Sequence, residues 1–175
     1  MSQPIRLPEN HPARQLFRSL AGRALNQSSL SDNDILLYLS DLLLHFMWTE
    51  NLYSLRDQDG RRLAYLVDMF AEASQMPPRE RKSCYKHIGD YTLFILGFFP
   101  ESLSTGRRAI SQSYYSEAGR RCYLAASELE RNADSTVVYR KLADKYERCV
   151  LSLNWVREYT SDPFYQFMLR EFGVT

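Results

Sequence analysis

The segment from Ile88 to Pro100, IGDYTLFILGFFP, constrains the fold of this chain more than any other. As a helix it carries apolar side chains on every face, and such a helix is stable in water only when other elements surround it. Pro77 and Pro78 favour a helix start, because proline is tolerated in the first turn, and Pro100 favours an end just before it. The pattern therefore predicts a central helix at about 78–98.

The periodicity of apolar residues predicts further helices around this one. They span about 12–26, 32–49, 60–74, 111–129 and 134–160, and a final short helix follows Asp162-Pro163 and ends at Gly173. Ser31 is the predicted N-cap of the helix at 32–49, and Asp134 or Ser135 that of the helix at 134–160. The prediction is an all-α fold, a single-domain bundle of six or seven helices over residues 1–175, with an extended N-terminal arm at 1–10.

The segment between the second and third predicted helices allows two structures. Asp57-Gln58-Asp59-Gly60 is the strongest turn signal in the chain, and Asp-Gly turns favour a hairpin, here pairing 52–56 with 61–65. The alternative is a loop that leads directly into a helix at Gly60. We favour the loop, because the apolar residues that follow it have helical spacing.

Small residues on the predicted helix at 111–129 indicate that another helix packs closely against it. They are Ala118, Gly119, Cys122, Ala125 and Ala126. Glycine within a helix costs about 1 kcal/mol relative to alanine, so close packing is the expected compensation. Gly97 on the central helix is the candidate for this contact.

Composition bounds the class of protein. The chain has 175 residues and a formal net charge of +1, so its overall charge does not favour nucleic acid as a partner. No apolar run approaches the roughly 20 residues needed to span a membrane. The three cysteines are widely spaced and odd in number, which predicts buried reduced thiols and a cytoplasmic location.

The sequence lacks the motifs of common enzymes. It contains no HExxH, no Gly-x-Ser-x-Gly, no P-loop and no Rossmann glycine pattern. Its three histidines are scattered at positions 11, 45 and 87, which disfavours a zinc site. We expect neither a catalytic residue nor a metal or other cofactor, and the sequence leans against an enzyme.

His87 and Asp90 are the candidate polar site on the central helix. Residues three apart lie on one side of a helical turn, so the two side chains could form a hydrogen-bonded pair. That pair would either anchor helix packing or, with Tyr91 and His45, line a ligand pocket. The packing role is the favoured interpretation.

The aromatic content suggests a surface for another protein. The chain has 12 tyrosines and 9 phenylalanines, and not all of them can be buried; exposed aromatic side chains are favoured at protein interfaces. The leading functional hypothesis is a non-enzymatic protein that acts through protein–protein contact, as a homodimer or with another partner. The competing hypothesis is a small-molecule or heme-binding protein with a pocket near His87 and Asp90.

Three segments resemble those of a family of bacterial conserved hypothetical proteins. They are LRDQDGRRL at 55–63, KHIGDYTLF at 86–94 and GFFPES at 97–102. The resemblance continues through 114–126 and the helix at 134–160, and so covers most of the chain. It implies a bacterial cytoplasmic protein and supplies no catalytic residues.

A second resemblance is confined to YKHIGD at 85–90. It is similar to the Gly-Asp turn on the distal helix of heme oxygenases, which are also all-helical. In that family further glycines follow and let the helix bend over heme. Here Tyr91-Thr92-Leu93-Phe94 stand in their place.

Overall fold

The central helix forms where the prolines predict it. In the computed structural model, which describes residues 8–47, 49–104 and 110–161, this helix spans Pro78–Phe98. Every residue from Ile88 to Gly97 is buried. The all-α prediction is confirmed: the described residues form eight α-helices and one short 3-10 helix around one apolar core. The helices are α1 Pro12–Gln27, α2 Asn33–Phe46, α3 Thr49–Leu52, α4 Leu66–Gln75, α5 Pro78–Phe98, α6 Gln112–Leu129, α7 Ala133–Asp144 and α8 Tyr146–Ser161, with the 3-10 helix at Pro100–Leu103.

Two helices pack along α5 in opposite directions. Lys82 in the first turns of α5 pairs with Glu130 just beyond the end of α6, and the midpoints of the two helices meet at Thr92 and Gly119, so α5 and α6 are antiparallel. Tyr146 at the start of α8 donates to Thr92, while Arg157 near its end pairs with Glu101. Helix α8 is therefore parallel to α5.

Glycine permits both of these contacts. A Cβ atom at Gly119 would collide with the Tyr146 hydroxyl and the Thr92 side chain, and one at Gly97 would collide with Leu153 of α8. The prediction of close packing at these positions is confirmed, but the predicted partner of Gly97 is wrong. Gly97 instead faces α8. The prediction failed because sequence spacing shows which residues share a face of α5 but not which helix packs against that face.

The helix predicted at 134–160 is two helices. Its backbone breaks at Lys145, whose φ of −105° and ψ of 22° leave helical geometry, and α8 begins at the next residue. The N-cap of α7 is Asn132, whose side chain accepts from the Ser135 amide, not Asp134 or Ser135. The apolar periodicity runs through the break, so the sequence predicted one continuous helix.

The N-terminus of α2 also differs by one residue. Asp32, rather than Ser31, is its N-cap and accepts hydrogen bonds from the amides of Asp34 and Ile35. Lys141 and Lys145 pair with the same carboxylate at 3.2 and 3.1 Å. These two cations lie at the C-terminal end of α7, so a tertiary contact favours Asp32 over Ser31 as the N-cap. They also hold the pKa of Asp32 below its ordinary value, although burial opposes them.

The segment before α4 turns back on itself, so the preference for a loop followed by a helix at Gly60 is wrong. Gly60 has a φ of +78°, and the Asp57 carboxylate accepts from the amides of Asp59 and Arg61. An isolated antiparallel bridge then joins Arg56 to Arg62. Helix α4 begins only at Leu66. The turn chemistry prevails here over the helical spacing of the apolar residues.

The remaining predicted segments have mixed outcomes. The helix predicted at 32–49 ends at Phe46, and those at 12–26 and 111–129 are confirmed within one residue at each end. Most of the N-terminal arm and the whole of the final predicted helix lie outside the described residues. The three cysteines are buried and free, as predicted.

Candidate functional site

Asp90 lies at the centre of a closed hydrogen-bond network. Its carboxylate is 5% exposed, and its Oδ1 atom accepts from the hydroxyls of Tyr38 at 2.6 Å and Tyr123 at 2.8 Å. Its Oδ2 atom accepts from Lys86 Nζ at 2.6 Å, one helical turn earlier on α5. Buried polar groups need such partners, and both oxygens of Asp90 have theirs.

The surrounding aromatic rings enclose this network. The Tyr38 ring meets those of Tyr123 and Tyr139 edge to face, with centroids 6.1 and 6.3 Å apart. The Tyr123 ring lies over Gly89, where a Cβ atom would be only 2.8 Å away. The tyrosines therefore cover the Oδ1 side of the Asp90 carboxylate, and Lys86 covers its Oδ2 side.

The charge of Asp90 changes the acidity of the groups around it. Burial and the neighbouring carboxylate raise the pKa of both Tyr38 and Tyr123 well above the ordinary tyrosine value, so both remain donors. Burial opposes the charge of Lys86, but the Asp90 carboxylate more than offsets this and raises the pKa of Lys86. These three raised pKa values keep Tyr38, Tyr123 and Lys86 protonated as hydrogen-bond donors, as expected of a structural network.

The predicted pair of His87 and Asp90 does not form. His87 Nδ1 lies 3.3 Å from the Ser54 hydroxyl, and its buried Nε2 atom makes no hydrogen bond of ordinary geometry. Its ring packs between those of Phe46 and Tyr91, each with its centroid 6.3 Å away. The prediction was wrong because Tyr38 and Tyr123, from α2 and α6, occupy the carboxylate that His87 was expected to meet.

His45 lies apart from the Asp90 network, at the exposed end of α2. Asn51 donates to its backbone carbonyl at 2.6 Å, and the Asn51 amide nitrogen lies 3.4 Å from the imidazole Nδ1. Burial lowers the pKa of His45 and of His87, although the Asp90 charge opposes the shift in both. Neither histidine lines the groove or the cleft described below.

Tyr91, the fourth predicted site residue, lies on a different surface of the protein. It lines a groove of about 1200 Å³ on the α5 face that carries Phe94 and Ile95. Burial, with nearby Tyr115 and Tyr53, raises the pKa of Tyr91. The other walls come from α2, α3, the segment before α4, the first turn of α4 itself, and the 3-10 helix and α6 with the residues that precede them. They contribute Phe46, Leu52, Tyr53, Ala64, Tyr65, Leu66, Val67, Asp68, Phe99, Ser102, Leu103, Ile110, Tyr114 and Tyr115.

Large apolar side chains surround the mouth of this groove, which we call the α5 groove. Tyr65 is 66% and Val67 68% exposed, and Phe99 and Tyr114 are each exposed by more than two-fifths. Exposed apolar side chains gathered around a concave surface are typical of binding sites rather than of an inert surface. The α5 groove is therefore the candidate functional site.

The described lining of the α5 groove is almost uncharged. Asp68 is the one charged side chain among the described residues that line it. Its other polar groups are the hydroxyls of five tyrosines and of Ser102. Such a surface suits an apolar ligand that also forms a few hydrogen bonds.

A smaller cleft of about 420 Å³ lies on the other side of Tyr114. Glu117, Arg121 and the buried Cys122 contribute to its walls. Burial raises the pKa of the Cys122 thiol to about 12, so this cysteine is an unreactive thiol at neutral pH. The cleft has no group poised for chemistry.

Within residues 8–47, 49–104 and 110–161, no three histidine, cysteine, aspartate or glutamate side chains are grouped so as to hold a metal ion. Nor does any helix in these ranges have the length and apolarity to cross a bilayer.

Sequence reasoning found one residue of the α5 groove, Tyr91, and missed the others. The prolonged apolar run of α5 indicated burial on all sides, and nothing in it marks the face that remains open. The aromatic content predicted that some of these side chains are exposed, as Tyr114 is, but not that they surround a groove. Tyr65 and Phe99 could not be recognised, because each occurs in a segment of apolar residues that sequence alone assigns to the core.

No protein-family model, curated protein or solved structure matches this chain. Its function must therefore be inferred from the chemistry of its own side chains.

Proposed function

We propose that this chain is a non-enzymatic binding protein and that the α5 groove takes an apolar small molecule. The observation that carries the proposal is the groove itself, about 1200 Å³ in volume with one charged side chain in its described lining. Small-molecule sites commonly measure roughly 300–1,000 Å³ and are mostly apolar with a few polar groups. At about 1200 Å³ the α5 groove lies just above that range, so it would hold a large ligand of this class.

The floor of the α5 groove lies on a helix that is packed between other helices. The floor residues Tyr91, Phe94 and Ile95 belong to the buried half of α5, which α6 and α8 fix in place. Binding surfaces on packed helices hold their shape better than surfaces on loops. Ala64 and Tyr65 form one wall of the groove. They follow the turn at 57–60, whose conformation is fixed by the hydrogen bonds of Asp57.

The lining also supports binding rather than catalysis. The described lining residues include no histidine, lysine or cysteine, the side chains that most often act as bases or nucleophiles. Heme is a narrower version of the proposal, in which only a tyrosine of the described lining could bind the iron. Hemin titration with the Soret band as readout tests that version, and an unchanged spectrum would rule it out.

A neutral dye whose fluorescence rises in apolar surroundings, phenyl-naphthylamine, tests the main proposal. Ala64 lines the groove and is exposed, so Ala64→Trp fills the groove without disturbing the core. Ala71→Trp is the matched control, because Ala71 is also exposed but lies on α4 outside the groove. We expect the dye affinity to fall about tenfold with Ala64→Trp, equivalent to about 1.4 kcal/mol, and to be unchanged with Ala71→Trp.

Two results would contradict the proposal. If the dye does not bind, or binds equally to both tryptophan variants, the α5 groove is not the binding site. If the dye binds only to a chain that ends at Ser161, the groove is occupied by the protein's own C-terminal segment and not by an external ligand.

The exposed rim favours a second function, contact with another copy of this chain. Tyr65, Val67, Phe99 and Tyr114 form an apolar surface around the groove mouth, and aromatic side chains are enriched at protein interfaces. Light scattering over a range of protein concentrations tests this homodimer hypothesis. A dimer that Tyr65→Ser with Val67→Ser dissociates would support it, and a monomer at every concentration would contradict it.

A further inference from the structure

Among the described residues, the lining of the α5 groove carries a negative charge without a positive one. Asp68 is the one charged side chain there, and the described lining residues include no lysine, arginine or histidine. No described side chain forms an ion pair or hydrogen bond with the Asp68 carboxylate, in contrast to Asp90 with its three donors. Asp68 is exposed, so a ligand in the groove could reach its carboxylate.

Aromatic rings dominate the rest of the lining and favour the same sign of charge. Eight of the lining residues are tyrosine or phenylalanine, namely Phe46, Tyr53, Tyr65, Tyr91, Phe94, Phe99, Tyr114 and Tyr115. The face of an aromatic ring is negative, and it attracts cations positioned over it. An anionic ligand would meet ring faces and a carboxylate, and no described cation of the lining would compensate.

The N-terminus of α4 opposes this negative polarity, and the size of its partial positive charge decides the net sign of charge at the groove wall. Helix α4 begins at the groove with Tyr65 as N-cap, and that side chain makes no capping hydrogen bond. Its N-terminus therefore presents about half a positive charge. Asp68, in the same first turn, carries a full negative charge, so the combined charge at this wall is negative.

We propose that the α5 groove selects apolar ligands that carry a positive charge, namely alkyl- or arylammonium compounds, with Asp68 as the counter-charge. The apolar body would contact Phe94, Ile95 and Phe99, and the ammonium group would lie between Asp68 and the tyrosine rings. The tyrosine hydroxyls would accept hydrogen bonds from the ammonium hydrogens. This inference rests on the proposed binding function and specifies the class of ligand.

Three compounds with one apolar body and different head groups test the selectivity. Phenylbutylamine is a cation at neutral pH, phenylbutanol is neutral and phenylbutyrate is an anion. Calorimetric titration of the full chain should give the tightest binding to the amine, about fivefold over the alcohol, and the weakest to the butyrate. Raising salt from about 20 to about 500 mM should reduce the preference for the amine.

Asp68→Asn and Glu72→Gln are matched variants for this titration. Both remove one negative charge from α4, but Glu72 does not line the groove. Asp68→Asn should weaken amine binding to the level of the alcohol and leave alcohol binding unchanged. Glu72→Gln should preserve the preference for the amine.

The possible results separate this inference from the proposed function. Equal binding of all three compounds, blocked by Ala64→Trp, would contradict charge selection and leave the binding function intact. Tightest binding of phenylbutyrate would show that the α4 N-terminus dominates, and a preference for the amine that survives Asp68→Asn would exclude Asp68 as its source. Failure of all three to bind would contradict both proposals.

Discussion

The two carboxylates Asp90 and Asp68 lie on adjacent helices of the same bundle beside aromatic rings, but they differ in exposure and in hydrogen bonding. Asp90 is enclosed by aromatic rings and accepts three hydrogen bonds. Asp68 is exposed beside aromatic rings and makes no described ion pair or side-chain hydrogen bond. The comparison shows that a cluster of tyrosines around a carboxylate can be a closed structural network or an open binding surface. Whether the carboxylate already has its partners distinguishes the two.

Replacing each carboxylate by alanine tests this distinction most directly. Asp90→Ala leaves the two buried hydroxyls of Tyr38 and Tyr123 without their acceptor, at a cost of about 1–3 kcal/mol each, while Lys86, whose side chain is 42% exposed, can be hydrated instead. Asp68→Ala removes only a favourable charge at a helix N-terminus, worth about 0.3–1 kcal/mol. Thermal unfolding measures both, since about 1 kcal/mol shifts the midpoint of a chain of this size by roughly 2–4 °C.

Equal midpoints for the two variants would overturn the comparison. In particular, an Asp90→Ala protein as stable as the parent would mean that water replaces the carboxylate, and the Asp90 network would then have to be accessible to ligands. The effect on ligand affinity should have the reverse order: Asp68→Ala should weaken binding, and Asp90→Ala should not.

Gly119 tests how tightly the closed region is packed. In Gly119→Ala the new methyl group collides with the Tyr146 hydroxyl and the Thr92 side chain, and overpacking of this kind costs about 1–3 kcal/mol. Gly22→Ala is the matched control, because its nearest neighbour is Leu36 at an ordinary 3.7 Å. That substitution should stabilise α1 by about 0.5–1 kcal/mol.

Urea unfolding of both glycine variants provides the measurement. We expect the free energy of unfolding to decrease in Gly119→Ala and to increase in Gly22→Ala. If Gly119→Ala were stabilising like Gly22→Ala, the packing between α5, α6 and α8 would be looser than described, and the contrast with the open groove would weaken.

The helices were largely predictable because their signals are local. Proline marks the first turn of α5 and follows its end, and the predicted bounds of about 78–98 agree with the observed Pro78–Phe98. The break at Lys145 has no comparable signal, since neither proline nor glycine is near it. The turn at 57–60 carried the correct signal, but the helical spacing of Leu63 and Leu66 was given more weight.

The candidate site was less predictable, because its geometry is tertiary. Asp90 takes its hydroxyl donors from Tyr38 and Tyr123, which lie 52 and 33 residues away in sequence. A chain with 12 tyrosines gives no means of selecting those two. The α5 groove likewise combines residues from α2 to α6, and no single segment carries its pattern.

The smallest expected effect concerns the boundary between the two regions, where His87 lies. Burial lowers the pKa of His87 and of His45 below the ordinary 6.5. Below about pH 6.5 the unfolded chain therefore binds protons that the folded chain does not, and the free energy of unfolding decreases as pH falls. Above that pH both states are neutral and the histidines have no effect.

Urea unfolding at about pH 7.5 and about pH 5.5 measures this dependence. The interval is informative because the three carboxylates with lowered pKa values titrate below it: the pKa of Asp32 lies below its ordinary 3.8, and the pKa values of Glu101 and Glu130 lie below their ordinary 4.5. The double variant His45→Gln with His87→Gln should be less sensitive to pH than the parent. A parent protein equally stable at both pH values would show that the two imidazoles are accessible to water.

The unbroken burial of α5 from Ile88 to Gly97 has a consequence for hydrogen exchange. Amides in a segment that has no exposed side can exchange with solvent only when the whole bundle opens, so their rates report the free energy of global unfolding. Helix α4 packs on one side only and forms the wall of the groove, so its amides can exchange through a local opening. An apolar ligand that bridges α4 and α5 would slow exchange in α4 by more than it slows exchange in α5.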